Sequence, residues 1–127
     1  MNAGGSRKRI LCLDDEPDLL DILSFELQEL GFEVVTAISC DQAEQILQAQ
    51  HIDYILSDVR MPKKSGLDFV RNLRRIGIKT GVTFITAFSD VSSEFMKEFQ
   101  VDAVLSKPCA REELSVHLTK VLASECS

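Results

Sequence analysis

Five times between Ile10 and Leu122 a short apolar run is followed by a segment with helical spacing, and this alternation constrains the fold more than any other feature. The runs Ile10–Leu13, Glu33–Ala37, Tyr54–Ser57, Val82–Thr86 and Ala103–Ser106 are mostly β-branched or aliphatic. Such runs predict strands of a parallel sheet covered on both faces. The spacing predicts helices over Pro17–Leu30, Asp41–Ala49, Leu67–Ile76, a weaker Ser92–Phe99, and Arg111–Ala123. In the first of these, Leu20, Leu23, Leu27 and Leu30 repeat at threes and fours and build one buried stripe. Pro17 is tolerated in a first helical turn, and Gly31 marks the stop. Ser39 with Gln42 matches a capping box opening the second helix. Five βα units in this order predict an α/β fold, an open doubly wound sheet with right-handed crossovers.

At 127 residues the chain is long enough for one domain that needs no disulfide or structural metal. Residues 9–123 are expected to form it, with 1–8 a disordered arm or cloning remnant and 124–127 a C-terminal tail. The net charge of -6 argues against direct nucleic-acid binding, because a phosphate backbone would be repelled. No apolar run approaches the roughly 18 residues that span a bilayer, and no signal-like segment opens the chain. No membrane association is expected, and the expected compartment is cytoplasmic. Cys12, Cys40, Cys109 and Cys126 lack metal-ligand spacing and read as reduced thiols.

Chemistry concentrates at the C-terminal ends of the predicted strands. The first ends in Asp14 and Asp15 with Glu16 just beyond, the third in Asp58, the fourth in Thr86 and the fifth in Lys107. In open α/β sheets this edge forms the ligand crevice. Two carboxylates about 4 Å apart repel by roughly 4 kcal/mol at an effective dielectric near 20, so protonation or a bound cation must relieve them. A donor set of oxygens without His or Cys suits a hard ion such as Mg²⁺. An Asp carboxylate can attack phosphorus to form an acyl phosphate. Lys107, Thr86 and the cation would then meet the charge on the transferring group.

Ile10 to Pro17 (ILCLDDEP), Ser57 to Pro62 (SDVRMP) with Gly66, Thr86-Ala87 and Lys107-Pro108 together resemble the response-regulator receiver family of two-component signalling, from about Arg9 to Leu122. The resemblance implies a flavodoxin-like five-stranded parallel sheet in the order 2-1-3-4-5. It implies that Asp58 accepts a phosphoryl group from a sensor histidine kinase or phosphotransfer protein. It further implies that Asp15, Asp58 and the Arg60 backbone carbonyl bind Mg²⁺ (or Mn²⁺) directly, with Asp14 acting through water. Lys107 would pair with phosphoryl oxygens, Thr86 would turn inward to meet one of them beside Ala87, and the bond before Pro108 would be cis. The face made by the fourth helix, fifth strand and fifth helix would signal to an output protein or fused effector domain, or pair in a homodimer.

Three features depart from that family pattern. Val104 replaces the aromatic switch residue, which leaves readout to Thr86 and the backbone. Arg60 and Phe88 flank the path of a hydrolytic water, which implies slow autodephosphorylation. The segment from Thr86 to Lys107 looks one residue short, with Gln100 in place of a customary Gly, and Ala110 lacks a capping side chain. His51, His117 and the Phe95/Phe99 pair read as structural, and Gly66 as a residue relieving backbone strain.

Competing readings are weaker. An aspartyl-nucleophile phosphatase-like enzyme would need a second Asp where Arg60 stands, and a substrate cap. A flavodoxin-like cofactor binder would need a phosphate-cradling, Gly/Ser/Thr-rich first loop in place of Asp-Asp-Glu-Pro. A pseudo-receiver used only as an interaction module is kept open by Val104. The expected chemistry is confined to the chain's own phosphorylation and dephosphorylation. Nothing after Leu122 resembles an effector domain.

Overall fold

The computed structural model describes residues 7–87, 91–107 and 109–125, the last three by backbone alone. Strands and helices alternate: β1 (Arg9–Leu13), α1 (Pro17–Glu29), β2 (Glu33–Ala37), α2 (Cys40–Ala49), β3 (Tyr54–Ser57), α3 (Gly66–Arg75), β4 (Gly81–Thr86), α4 (Ser93–Phe99), β5 (Val101–Ser106) and α5 (Arg111–Glu125). The five strands are parallel in the order β2-β1-β3-β4-β5. Each predicted element is present, with ends displaced by no more than a turn's fraction because capping geometry, not periodicity, sets them.

Alternation along the strands divides the core in two. Leu11, Leu13, Ile55, Val82 and Phe84 face α2, α3 and α4. Ile10, Cys12, Tyr54, Leu56 and Ile85 face α1 and α5. The leucine stripe of α1 behaves as its spacing requires: Leu20 and Leu27 are buried, with Leu23 and Leu30 packed beside them. Gly31 ends the helix at φ 97, a conformation that disfavours any Cβ. At α2, Ser39 Oγ accepts from the Gln42 amide as expected, but the Gln42 side chain reaches the Ile38 amide and not that of Ser39. A complete capping box occurs instead at α3, between Ser65 and Asp68.

α4 buries no residue fully; Phe95, Met96 and Phe99 pack against the core, and α3 adds polar and aromatic contacts to it. The Arg74 guanidinium donates to the carbonyls of Phe99 (2.7 Å), Ile78 (2.9 Å), Thr80 (2.9 Å) and Gln100 (3.1 Å). Arg71 lies 5.6 Å from the centroids of both Phe95 and Phe99, whose rings are themselves 4.6 Å apart. Gln100 caps α4 in the left-handed region at φ 60, ψ 49. A side chain there costs about 1–2 kcal/mol, partly offset by the lower unfolded-state entropy of a non-glycine residue. Gln100→Gly is therefore expected to stabilise the protein by about 0.5–1 kcal/mol, measured by urea unfolding. An unchanged or lower midpoint would show that the Gln100 side chain compensates the strain.

β5 carries a bulge. Val82 pairs with Val101 but Thr83 pairs with Ala103, so Asp102 is an extra residue between them. The bulge reverses the alternation: Val101 and Val104 join the α2–α3–α4 side, while Leu105 joins the α1–α5 side.

Candidate functional site

β1 and β3 are neighbours in the sheet, with Leu13 opposite Ser57. The ladder runs one step past both strands, the Asp58 amide donating to the Leu13 carbonyl at 2.9 Å and the Asp14 amide to the Ala37 carbonyl at 3.2 Å. This register sets the next two side chains, Asp14 and Asp58, facing one crevice at the sheet's C-terminal edge. Both are buried, 6% and 8% exposed, which requires compensation of their charge.

Lys107 provides it. Its Nζ stands 2.6 Å from Asp14 Oδ2 and 3.0 Å from Asp58 Oδ2. Its backbone amide donates to the Thr86 carbonyl at 3.0 Å, locking the end of β5 to the end of β4. Burial acts to lower the Lys107 pKa, but the hydrogen bonds to Asp14 and Asp58 outweigh it, and the net shift is upward. The ammonium is therefore charged throughout the physiological range.

The remaining oxygen of each carboxylate is also held. Asp58 Oδ1 accepts from the Val59 amide at 2.7 Å and the Arg60 amide at 3.4 Å, while Asp14 Oδ1 accepts from the Glu16 amide at 3.0 Å. Asp14, Asp15 and Glu16 bring carboxylate oxygens within 4.8 Å of one another, an all-oxygen group of the kind a hard divalent cation prefers. Asp58 is turned to Lys107 and is not part of that trio. Glu16, just beyond the end of the first strand, is part of it.

Thr86 ends β4, 2% exposed, and Ala87 beyond it is exposed. Val104 packs on the α3–α4 side of the sheet, as the bulge dictates. The Arg60 side chain is exposed at the crevice margin. Phe88 and Pro108 lie outside the described residues. Burial pushes the Cys40 thiol up to about 11 and, with Glu113 adding to it, Cys109 up to about 12. Neither is suited to act as a thiolate nucleophile at neutral pH.

Two supports of the site escaped sequence reasoning. The Ser57 hydroxyl donates to the Asp58 carbonyl at 2.8 Å. Gly66, the first residue of α3, donates to the Val59 carbonyl at 2.7 Å and sits so close to the Asp58–Val59 backbone that a Cβ would fall 2.3 Å from the Asp58 carbonyl oxygen. Its role is close approach, not relief of backbone strain, because its φ is not in the positive region where Gly31 and Gly77 lie. Beside the crevice an apolar groove of about 350 Å³ runs between Leu19, Ile22 and Leu23 of α1 and Cys109, reaching Asp58 and Lys107. Ile22 and Phe25 on the outer side of α1 are 62% and 56% exposed.

The family described as the response regulator receiver domain matches residues 10–119. The chain belongs to the response regulator receiver family. This receiver domain is 35% identical over 116 residues to the alginate biosynthesis transcriptional regulatory protein AlgB of Pseudomonas aeruginosa, covering 90% of the chain and 26% of that protein. It is 32% identical over 118 residues to a probable transcriptional regulator, ycf27, of Cyanophora paradoxa, covering 92% of the chain and 49% of that protein. The receiver domain thus spans half or less of these curated relatives. Among solved structures it is similar to the response regulator TrrA of Thermotoga maritima, crystallised in complex with Mg²⁺-BeF, at a TM-score of 0.80 and 31% identity, covering 90% of this chain and 98% of that one. The 2-1-3-4-5 sheet expected from the resemblance is the sheet observed. No helix among the described residues is long and apolar enough to cross a membrane.

Proposed function

We propose that this receiver domain takes a phosphoryl group onto Asp58 from the phosphohistidine of a sensor kinase or phosphotransfer protein. The observation that carries the reading is the Lys107 ammonium bridging two buried carboxylates, Asp14 and Asp58, at the sheet's C-terminal edge. An Asp58 oxygen attacks phosphorus, the phosphorus–nitrogen bond to the donor imidazole breaks, and its electron pair stays on that nitrogen. Lys107 can leave the carboxylate oxygen for a phosphoryl oxygen without losing Asp14 as its partner, so positive charge follows the group as it arrives. Thr86, at the end of the neighbouring strand, would donate to a phosphoryl oxygen beside the Ala87 backbone.

Asp14, Asp15, Asp58 and the Arg60 carbonyl would hold Mg²⁺ or Mn²⁺, and the oxygen donors of Asp14, Asp15 and Glu16 suit either ion. Bound there, the ion would supply positive charge against the phosphoryl oxygens and the clustered carboxylates. The apolar groove and the exposed Ile22 and Phe25 fit a donor protein approaching over α1. Output would pass through α4, β5 and α5 to a further domain or protein. With Val104 in place of an aromatic ring, Thr86 and the backbone would carry that signal. Bulky side chains at Arg60 and Phe88 would slow hydrolysis of the acyl phosphate.

Intact mass after incubation with phosphoramidate tests this. A gain of one phosphoryl group is expected with Mg²⁺, and none with EDTA or in Asp58→Ala. No gain in the native chain would favour an interaction module that keeps the receiver fold without the chemistry.

A further inference from the structure

The Asp58 carboxylate is oriented by the peptide that follows it. A trans peptide is planar, and its carbonyl and N–H point in opposite directions. At one end of the Asp58–Val59 peptide, the Val59 N–H donates to Asp58 Oδ1 at 2.7 Å. At the other end, the Asp58 carbonyl accepts from the Ser57 hydroxyl at 2.8 Å. Whatever fixes that carbonyl also fixes the direction of the Val59 N–H, and with it the rotation of the carboxylate.

Ser57 is placed to do this. It is the last residue of β3 and only 1% exposed, so bulk water does not compete for its proton. The sheet holds its backbone, with Leu13 opposite it and the Asp58 amide donating to the Leu13 carbonyl at 2.9 Å. The Asp58 carbonyl lies under Gly66, where a Cβ would stand 2.3 Å from it, and among the described residues the Ser57 hydroxyl is its hydrogen-bond donor. A buried carbonyl left without a donor is costly.

The two oxygens of the carboxylate are therefore unequal. Oδ1 is held by backbone, through the Val59 amide and, at 3.4 Å, the Arg60 amide, and neither moves unless the loop moves. Oδ2 is held at 3.0 Å by the Lys107 ammonium, which stands on a flexible stem and keeps Asp14 as a second partner at 2.6 Å. Only the hold on Oδ2 is released without strain.

We propose that Ser57 is a positioning residue for phosphoryl transfer: through the Asp58–Val59 peptide it pins Oδ1 and presents Oδ2 as the attacking oxygen. The inference rests on the phosphoacceptor reading of Asp58. With phosphoramidate as donor, Oδ2 bonds to phosphorus and the phosphorus–nitrogen bond breaks with its electron pair on nitrogen. That nitrogen, protonated in the zwitterion, leaves as ammonia. Ser57 touches none of the reacting atoms. Without its hydroxyl the peptide tilts, the Val59 N–H swings from Oδ1, and the carboxylate loses its single orientation.

The test compares Ser57→Ala, which removes the hydroxyl at nearly constant volume, with Ser57→Thr, which keeps it. Phosphoryl uptake from phosphoramidate with Mg²⁺ is followed by intact mass, and the Val59 amide by proton–nitrogen NMR of the unphosphorylated chain. Ser57→Ala is expected to take up the group about fivefold to tenfold more slowly, the worth of one hydrogen bond in alignment. Its Val59 amide proton should move upfield as the bond to the carboxylate weakens, a signal that a merely structural hydroxyl would leave unmoved. Ser57→Thr is expected to restore both readouts. Urea unfolding shows whether each variant is folded. Should the extra methyl of threonine overpack the site, Ser57→Cys, a weaker donor of similar size, should fall between alanine and the native chain. A Ser57→Ala rate within about twofold of native, an unmoved Val59 amide, or a folded threonine or cysteine variant no better than alanine overturns the inference. No uptake by the native chain would overturn the phosphoacceptor reading and the role of Oδ2 with it, whereas native uptake with an unaffected Ser57→Ala overturns this inference alone.

Discussion

Gly66→Ala is expected to destabilise the protein by about 2 kcal/mol and to slow phosphorylation of Asp58 at least tenfold. An alanine Cβ would lie 2.3 Å from the Asp58 carbonyl oxygen, 3.0 Å from Phe84 Cε1 and 3.1 Å from Val59 Cα. Two of these three neighbours are backbone atoms and cannot swing aside. The third belongs to a fully buried ring. Overpacking of this kind costs about 1–3 kcal/mol and belongs at the upper end here, against a gain of up to about 1 kcal/mol from alanine's helix propensity. Relief requires α3 and the Asp58–Val59 peptide to move apart, and that peptide holds the acceptor carboxylate through the Val59 amide. Urea unfolding and the rate of mass gain with phosphoramidate check the two halves. A variant that keeps native stability and rate would mean the loop yields without moving Asp58.

Lys107→Met is expected to make the stability of the domain far more dependent on metal than that of the native chain. The ammonium is the ion-pair partner of both Asp14 and Asp58, whose side chains are 8% and 9% exposed. Removing one partner of buried ions leaves the others uncompensated, a loss of about 3–5 kcal/mol; three is the better figure at a crevice open to water. In EDTA the variant should therefore unfold at markedly lower urea. Mg²⁺ at a hundredfold excess over its dissociation constant can return about 2.7 kcal/mol, so most of the loss should be recovered on adding it. Methionine keeps the length and much of the packing of the lysine stem, which separates charge from volume. A loss below about 1 kcal/mol in EDTA, or no greater Mg²⁺ response than the native chain shows, would mean water already screens the pair.

The two variants also separate the parts of the site. Gly66→Ala displaces the acceptor and leaves the charges intact, whereas Lys107→Met leaves the backbone intact and removes one charge. Phosphorylation should fall in both, but the second should show the larger response of stability to Mg²⁺.

The fold was legible in the sequence because each βα unit is encoded locally. Apolar runs such as Tyr54–Ser57 specify a strand buried on both faces, and the leucine stripe from Leu20 to Leu30 specifies one helix face. The residues of the crevice were legible for the same reason: Thr86 ends a strand, Asp14, Asp58 and Lys107 each follow one, and strand ends in a parallel sheet converge on one edge. What the site does with its charges was not. Lys107 lies 93 residues from Asp14 and 49 from Asp58, and only the register of β1 against β3 and of β4 against β5 brings its Nζ to both. Gly66 reads as any loop glycine until the path of the Asp58 carbonyl is known.

The hydrogen bonds that link His117 to Thr83, Thr83 to Tyr54 and Tyr54 to Asp102 at the N-terminal edge of the sheet are the clearest case of a feature decided by tertiary structure alone, because these four residues carry no common spacing. Asp102, following Val101, lies on the α5 side, and the bulge beyond it sets Val104 on the α4 side and Leu105 on the α5 side. Local sequence determined which elements form, because propensity and periodicity act within a few residues; pairing register and one bulge decided which side chains meet, because they depend on contacts between strands far apart in the chain.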